Sequence, residues 1–240
     1  MKKKGQLNLN LEPAWPSMTL FVFVLLLFSG VSLSAQEPPL SRQDILDALT
    51  RHGYSSGEKD AFEALYLPLE QQNLPLAPLF RRWQQGAAKG VSSQQLLAVL
   101  GEEKQWLLEA GETLDLRGAR LGLNRTSEYY LNRFLSLRRA GLSREDIRML
   151  VDAAPDGVSL DRGSLLLLEL DRWGLRGSPA LSLVKALLAG PLPPGDFGYI
   201  IPLLQRGYSA GFDTDLLVGE IILYLPRSGD LLDLQEYLGF

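Results

Sequence analysis

The residues with the clearest potential for binding chemistry are arginines and tyrosines between residues 117 and 139. This stretch, the arginine segment, contains six arginines and one acid, Glu128, and therefore carries a charge of +5. A planar guanidinium group can donate paired hydrogen bonds to phosphate or carboxylate, and tyrosine adds a flat amphipathic surface. The sequence therefore predicts an anion-binding or partner-binding surface formed by Arg117, Arg120, Arg125, Tyr129, Tyr130 and Arg133.

Two interpretations of the arginine segment stay open at the level of sequence. In the first, the segment binds an envelope protein, an anionic lipid head group such as that of lipopolysaccharide, or an acidic glycan. In the second, its arginines pair with acids elsewhere in the fold, which the excess of 28 acids over 24 bases in the chain makes easy. Replacing Arg120, Arg125 and Arg133 with glutamate removes salt-sensitive binding to anionic liposomes under the first interpretation alone.

Residues for nucleophilic or metal chemistry are scarce. The chain has no cysteine and one histidine, His52, which directly precedes Gly53 at a predicted helix end. A serine or threonine nucleophile needs a neighbouring base, most often histidine, and the sequence contains no GxSxG, P-loop, GxGxxG or HExxH motif. Asp152 to Gly157 resembles a calcium loop, but Ala154 and Gly163 occupy two ligand positions. We therefore predict no catalytic, cofactor or metal site.

An alternative function is that of a helical lytic enzyme acting on peptidoglycan. Such an enzyme would use a glutamate on a helix as its general acid, and Glu63, Glu109 and Glu169 lie in predicted helices. None of the three has the serine and aromatic surroundings that would make the signal specific. Release of muropeptides that one glutamate-to-alanine substitution abolishes would distinguish this enzyme from a non-enzymatic protein.

The elements that must position these side chains are helices joined by a recurring turn. Almost every stretch after residue 40 has helical periodicity, and no run of alternating β-branched residues occurs, so we predict an all-α fold. Glycine suits the left-handed residue that ends a helix, and serine suits the N-cap of the next helix. This glycine, apolar, serine pattern occurs at Gly53-Tyr54-Ser55, Gly90-Val91-Ser92, Gly141-Leu142-Ser143, Gly157-Val158-Ser159 and Gly207-Tyr208-Ser209.

The spacing of these turns predicts helical hairpins. Gly141, Gly174 and Gly207 are 33 residues apart, and 33 more residues reach Phe240. A unit of this length holds two helices of about a dozen residues each. Antiparallel hairpins stacked as a short solenoid-like array fit this spacing, and so does a compact multi-helix bundle. The predicted helical domain covers residues 41–240, and its division into sub-units 41–140 and 141–240 stays open.

The amino-terminal residues predict export. Three lysines at positions 2–4 precede an apolar run of 14 residues, Leu20–Leu33, that ends in small residues. This run is shorter than the roughly 20 residues that cross a bilayer, and the pattern is typical of a secretory signal peptide. We assign residues 1–35 to the signal peptide and 36–40 to a linker, which places the mature chain, without a transmembrane segment, in the periplasm or at the cell surface. An uncleaved inner-membrane anchor formed by residues 18–35 is the alternative.

The charge of the exported chain limits its partners. Removing residues 1–35 takes away three lysines and Glu12, which leaves 21 bases and 27 acids and a net charge of −6. An acidic chain of this kind is a poor match for nucleic acid, so we predict none as a partner. The sequence thus favours a non-enzymatic interaction or scaffold protein of the periplasm or cell envelope.

Two stretches carry a resemblance to other proteins. "GAAKGVSSQQLLAVL" and "RAGLSREDIRML", together with the export signal, resemble a loose group of uncharacterised exported bacterial all-helical proteins. In that group a helix ending in Lys-Gly or Ala-Gly turns through an apolar residue and Ser or Pro into the next helix. The resemblance covers about residues 76–150. It implies an exported location and an all-helical fold, and it implies no activity.

Overall fold

The computed structural model describes residues 40–124, 126–227 and 230–239. The predicted signal peptide (1–35) and residues 36–39 of the predicted linker lie outside the described residues, as does Arg125. Within the described part the chain forms α-helices and no strands, which confirms the all-α prediction.

Eleven α-helices and three short 3-10 helices make up the described part of the chain. The α-helices are α1 (Arg42–Arg51), α2 (Ser56–Gln71), α3 (Ala77–Ala88), α4 (Ser93–Arg117), α5 (Glu128–Arg139), α6 (Arg144–Ala153), α7 (Gly157–Trp173), α8 (Ser178–Ala189), α9 (Ile200–Ser209), α10 (Thr214–Tyr224) and α11 (Leu231–Leu238). The 3-10 helices are Gly118–Leu121, Pro194–Tyr199 and Leu225–Arg227.

The main helix contacts join near neighbours in the chain. Helix α2 packs on α4, α3 on α5, α4 on α6, α5 on α7, α6 on α8, and α8 on α10, in addition to contacts between successive helices. Stacked hairpins give this order of contacts, because each layer touches only the layers beside it. The buried side chains form one continuous core from Ile45 in α1 to Leu234 in α11. No later helical layer among the described residues covers the outer side of α10 and α11.

Three of the predicted turns have the expected geometry. Each glycine has a left-handed backbone, and each serine side chain accepts a hydrogen bond from the backbone N–H three residues further on. The three glycines are Gly53 (φ 78), Gly90 (φ 68) and Gly141 (φ 91). Hydrogen bonds from Ser93 and Ser55 lower the pKa of Glu58 to about 2, so the first two turns also contact each other.

The structure has the predicted turn between helices at Pro155-Asp156, but Gly157 does not end a helix there and Ser159 does not cap one. Gly157 is the first residue of α7, and the preceding helix has already ended at Ala153. The N-cap is Asp156, whose Oδ1 accepts a hydrogen bond from the backbone N–H of Ser159 at 2.7 Å. Aspartate caps a helix as well as serine does, which is why Ser159 is not needed as the cap.

The prediction of a turn at Gly207 is wrong. Gly207 lies buried inside α9, and the left-handed residue is Gly211 (φ 89), with Asp213 as the next N-cap. The 33-residue spacing therefore does not continue beyond Gly174 (φ 99) as a spacing of turns. Gly174 and Gly211 are instead 37 residues apart, as Gly53 and Gly90 are. The chain therefore forms successive helical hairpins of unequal length.

No described helix is both long enough and apolar enough to cross a bilayer.

Candidate functional site

Arg117 and Arg120 contact the carboxyl-terminal end of α6. Nε of Arg117 donates a hydrogen bond to Oδ1 of Asp152 at 2.7 Å. Nη2 of Arg120 donates to the backbone carbonyls of Val151 at 2.8 Å and Asp152 at 3.1 Å. The last carbonyls of a helix lack partners within the helix, and a nearby cation also complements the helix dipole. Both arginines therefore stabilise the junction between α4, the 3-10 helix that follows it, and α6.

Tyr129 and Arg133 form a cluster with Asp161. The Tyr129 hydroxyl donates to Oδ1 of Asp161 at 2.5 Å, and the same carboxylate oxygen lies 3.1 Å from Nη2 of Arg133. The guanidinium of Arg133 also donates to the Tyr129 hydroxyl at 3.0 Å and lies over its ring. This cluster joins α5 to α7, and its carboxylate already occupies the position that an anionic ligand would take.

Tyr130 packs beside the cluster. Its ring meets that of Tyr129 edge to face, with centroids 5.2 Å apart, and it is half-buried. Burial and the charge of Asp161 raise the pKa of Tyr130. A methyl group added at Gly157 would lie 3.2 Å from the Tyr130 hydroxyl, which shows how closely α5 approaches the start of α7.

The end of the arginine segment holds a buried carboxylate. Glu103, 2% exposed on α4, accepts two hydrogen bonds from Arg139, at 3.0 and 2.8 Å. Nε of Arg82 lies 3.2 Å from the same carboxylate. Arg138 donates to the backbone carbonyl of Leu142 at 2.9 Å. These contacts join α3, α4 and α5 and leave the carboxylate of Glu103 fully paired.

The structure therefore brings some predicted site residues together and separates others. Tyr129, Tyr130 and Arg133 form one cluster, whereas Arg117 and Arg120 lie at the end of α6, and Arg125 is outside the described residues. The five described arginines of the segment all hydrogen-bond to acids, carbonyls or a hydroxyl of this chain. This is the pairing that the second interpretation of the segment describes.

The three glutamates of the enzyme hypothesis lie in different surroundings. Glu63 forms an ion pair with Arg42, and Glu169 is exposed on α7. Glu109 lies 3.8 Å from Arg138 and lines a cavity of about 10 Å³, which has room for about one water molecule. The His52 ring contacts the ring of Trp83 edge to face at 5.1 Å. Among the described residues no group of His, Asp or Glu could hold a metal ion.

An exposed apolar surface lies on α10. Leu216 and Leu223 are 71% and 63% exposed, and they lie on the same side of the helix, with Glu220 between them. The 33-residue spacing places Leu216 at the same point of its unit as Leu150 and Leu183, both 0% exposed. Leu216 is exposed because α10 belongs to the last layers of the array and no described helix covers its outer side.

Helix α11 adds an aromatic residue beside this stripe. The Tyr237 hydroxyl donates to Oε2 of Glu220 at 2.8 Å, and the Tyr237 ring stacks on Tyr224 with centroids 4.3 Å apart. The hydrogen bond to Glu220 and the charge of that carboxylate raise the pKa of Tyr237, because both favour the protonated hydroxyl. We call Leu216, Glu220, Leu223 and Tyr237 the carboxyl-terminal face.

The helices that carry the carboxyl-terminal face are rich in acidic residues. Residues 200–240 contain six acids and two arginines and carry a net charge of −4. The acids, all exposed, are Asp213, Asp215, Glu220, Asp230, Asp233 and Glu236. The cations are Arg206 and Arg227. The last three α-helices therefore combine exposed apolar side chains with a net negative charge.

One signal in the sequence could have identified this face. The α10 sequence, TDLLVGEIILY, has apolar residues on all sides of the helix, while α9 and α11 on either side of it are amphipathic. A helix that is apolar all round is normally covered on all sides. In α10, Leu217, Val218 and Ile221 face the core, so the remaining leucines have no partner layer in the described part of the chain.

No protein-family model, curated protein or solved structure matches this chain. The fold defines the class, an all-α protein of stacked helices. Since no relative suggests a function, the proposed function rests on the surface residues of this chain.

Proposed function

We propose that the protein is a non-enzymatic interaction protein of the cell envelope that binds a partner protein through its carboxyl-terminal face. The observation that carries this proposal is the pair of leucines, Leu216 and Leu223, exposed on one side of α10 beside Tyr237. Apolar side chains clustered on a surface and rimmed by polar residues are typical of protein interfaces. Tyrosine at such a position adds contact area together with a hydrogen-bonding group.

The proposed location rests on the amino-terminal sequence. Residues 1–35 have the basic, apolar and small-residue regions of a signal peptide, which favours the periplasm or cell surface. A stacked helical array suits a scaffold in this location because it presents an extended surface on a framework held by local contacts. The mass of the mature chain tests the export part of the proposal, since cleavage near residue 35 removes the segment that would otherwise anchor it.

The arginine segment is a weaker candidate for the binding surface. An anionic lipid or glycan at Arg133 would have to replace the contacts with Asp161 and Tyr129, and one at Arg120 would have to replace two carbonyls of α6. Each replacement exchanges an existing charge-assisted bond for a similar one and also breaks a contact between helices. The carboxyl-terminal face can bind a partner without breaking such contacts.

Site-specific photo-cross-linking in the producing cells tests the proposed function. A photoreactive residue is placed at position 216 of the full chain and, as a matched control, at position 116, because Leu116 and Leu216 are both 71% exposed. We expect a discrete cross-linked protein from position 216 that is absent from position 116. Equal products from the two positions, or no product from position 216, would contradict a partner at the carboxyl-terminal face.

A further inference from the structure

We infer that the partner docks a basic amphipathic α-helix on the carboxyl-terminal face, an inference that rests on the proposed function. The face combines two leucines one heptad apart with a carboxylate between them. Both features are matched by a helix that carries apolar residues on one side and lysine or arginine beside them.

The spacing of the leucines favours a helix as the docking element. Leu216 and Leu223 are seven residues apart on a regular helix, a separation of about 10 Å along its axis. Apolar side chains with this period pack into the gaps between side chains of a second helix lying alongside. Gly219 lies between them, and a Cβ atom there would meet nothing within 4 Å. A second helix can therefore approach the backbone of α10 closely at this point.

The position of Glu220 favours a cation on the incoming helix. Its carboxylate is exposed and lies within the leucine stripe, held by the hydrogen bond from Tyr237 at 2.8 Å. A lysine or arginine placed opposite would form a charge-assisted hydrogen bond with this carboxylate, and the docked leucines would exclude water from around it. The net charge of −4 in residues 200–240 adds to the same preference, because complementary charge raises the association rate. Arg206 and Arg227, the two cations in residues 200–240, reduce this preference for a basic partner.

The same charges disfavour two other occupants. A symmetric dimer would place the carboxyl-terminal face against its own copy, and each copy carries −4 in residues 200–240. An anionic membrane surface would also be repelled by these acids. An acidic or neutral helix could bury the leucines, but it would leave Glu220 without a counter-charge in a site from which water is excluded.

A designed peptide tests the inference directly. The probe is a fluorescein-labelled helical peptide of 18 residues with leucines in heptad spacing flanked by lysines. A matched peptide has every lysine replaced by glutamate. Fluorescence anisotropy is measured with the full exported chain, with the Leu216→Ser/Leu223→Ser variant, and with Leu116→Ser as the control of equal exposure. The Glu220→Gln variant removes the central charge but keeps an acceptor for the Tyr237 hydroxyl.

We expect the lysine peptide to bind at least about tenfold more tightly than the glutamate peptide, because Glu220 and the net negative charge of residues 200–240 attract lysine and repel glutamate. The double leucine variant should lose at least about tenfold in affinity, and Leu116→Ser should leave it unchanged. Glu220→Gln should weaken binding about three- to tenfold and reduce its salt dependence.

Three outcomes would overturn the inference: equal binding of the two peptides, unchanged binding by the double leucine variant, or a dimer of the parent chain that this variant dissociates. The last outcome would assign the face to a second copy. A partner cross-linked from position 216 together with no preference for the lysine peptide would leave the proposed function standing and reject the basic helix. Failure of the cross-link with peptide binding intact would reject the proposed function instead.

Discussion

In both the arginine segment and the carboxyl-terminal face, the role suggested by residue composition differs from the role seen in the structure, and the two regions differ in opposite directions. The segment has the composition of a binding site, yet its described arginines bond to Glu103, Asp152, Asp161 and backbone carbonyls. The face has the composition of core, yet Leu216 and Leu223 are exposed. The difference teaches that a residue's type defines what it can bind, while the surrounding layers decide whether that capacity is already used.

The position of each region in the array explains this difference. The arginine segment runs through the middle layers, where α3, α4, α6 and α7 all contact α5. Long side chains there can reach acids and helix ends on several neighbours. The carboxyl-terminal face lies in the last described layers, where α10 contacts α8, α9 and α11. An end layer leaves one side of its helices without a neighbour, and in repeat proteins that side is usually polar.

Within these two regions, the largest expected effect is the loss of stability when Glu103, the partner of Arg139, is replaced with alanine. The change leaves Arg139 and Arg82 without their buried carboxylate and opens a cavity in α4. Both arginines are about two-fifths exposed, so water replaces part of what they lose. We expect the free energy of unfolding to fall by about 2–3 kcal/mol, measured by urea denaturation with circular dichroism.

The neighbouring residue provides the control for this substitution. Glu102 is exposed on the same helix, and Glu102→Ala should change the free energy of unfolding by less than about 0.5 kcal/mol. A similar loss in the two variants would mean that the pairing with Arg139 and Arg82 contributes nothing specific. The arginine segment would then no longer differ from an ordinary charged surface.

Local sequence signals predicted the helices well and the tertiary contacts poorly. The serine caps at residues 55, 92 and 143 act within three residues of chain, so the sequence contains all that is needed to predict them. The turn at Gly211 was missed because aspartate caps as well as serine and because Gly207 fits inside a packed helix. The bond between Arg139 and Glu103 spans 36 residues, and no short-range pattern predicts such a pair.

A second, smaller loss of stability is expected when Asp161 is replaced with alanine. The substitution removes the acceptor of both Tyr129 and Arg133, which are the central residues of the predicted anion site. The carboxylate is partly exposed, so we expect a loss of about 1–1.5 kcal/mol in the free energy of unfolding. The adjacent Arg162→Ala, at an exposed position, is the control and should have little effect. If Asp161→Ala were neutral and created binding to anionic liposomes, the segment would be a masked anion site.

Two glycines near the carboxyl-terminal face should respond in opposite directions to alanine. Gly211 is left-handed (φ 89), so Gly211→Ala should lower the free energy of unfolding by about 1 kcal/mol. Gly219 lies inside α10 with open space around it, so Gly219→Ala should raise that free energy by about 0.5–1 kcal/mol. Thermal unfolding of the two variants beside the parent measures both shifts. Destabilisation by Gly219→Ala would indicate that the outer side of α10 is already covered in the free protein.

The smallest expected effect on stability is that of the Leu216→Ser/Leu223→Ser variant. Both leucines are mostly exposed, so their removal should change the free energy of unfolding by less than about 0.5 kcal/mol, measured by urea denaturation. The matched buried change is Leu183→Ala, which removes a side chain with 0% exposure and should cost about 2–5 kcal/mol. A stable double variant that has lost its partner would separate the role of these leucines in binding from any role in folding. A large loss of stability would instead place them in the core, and the distinction between the carboxyl-terminal face and the rest of the array would fail.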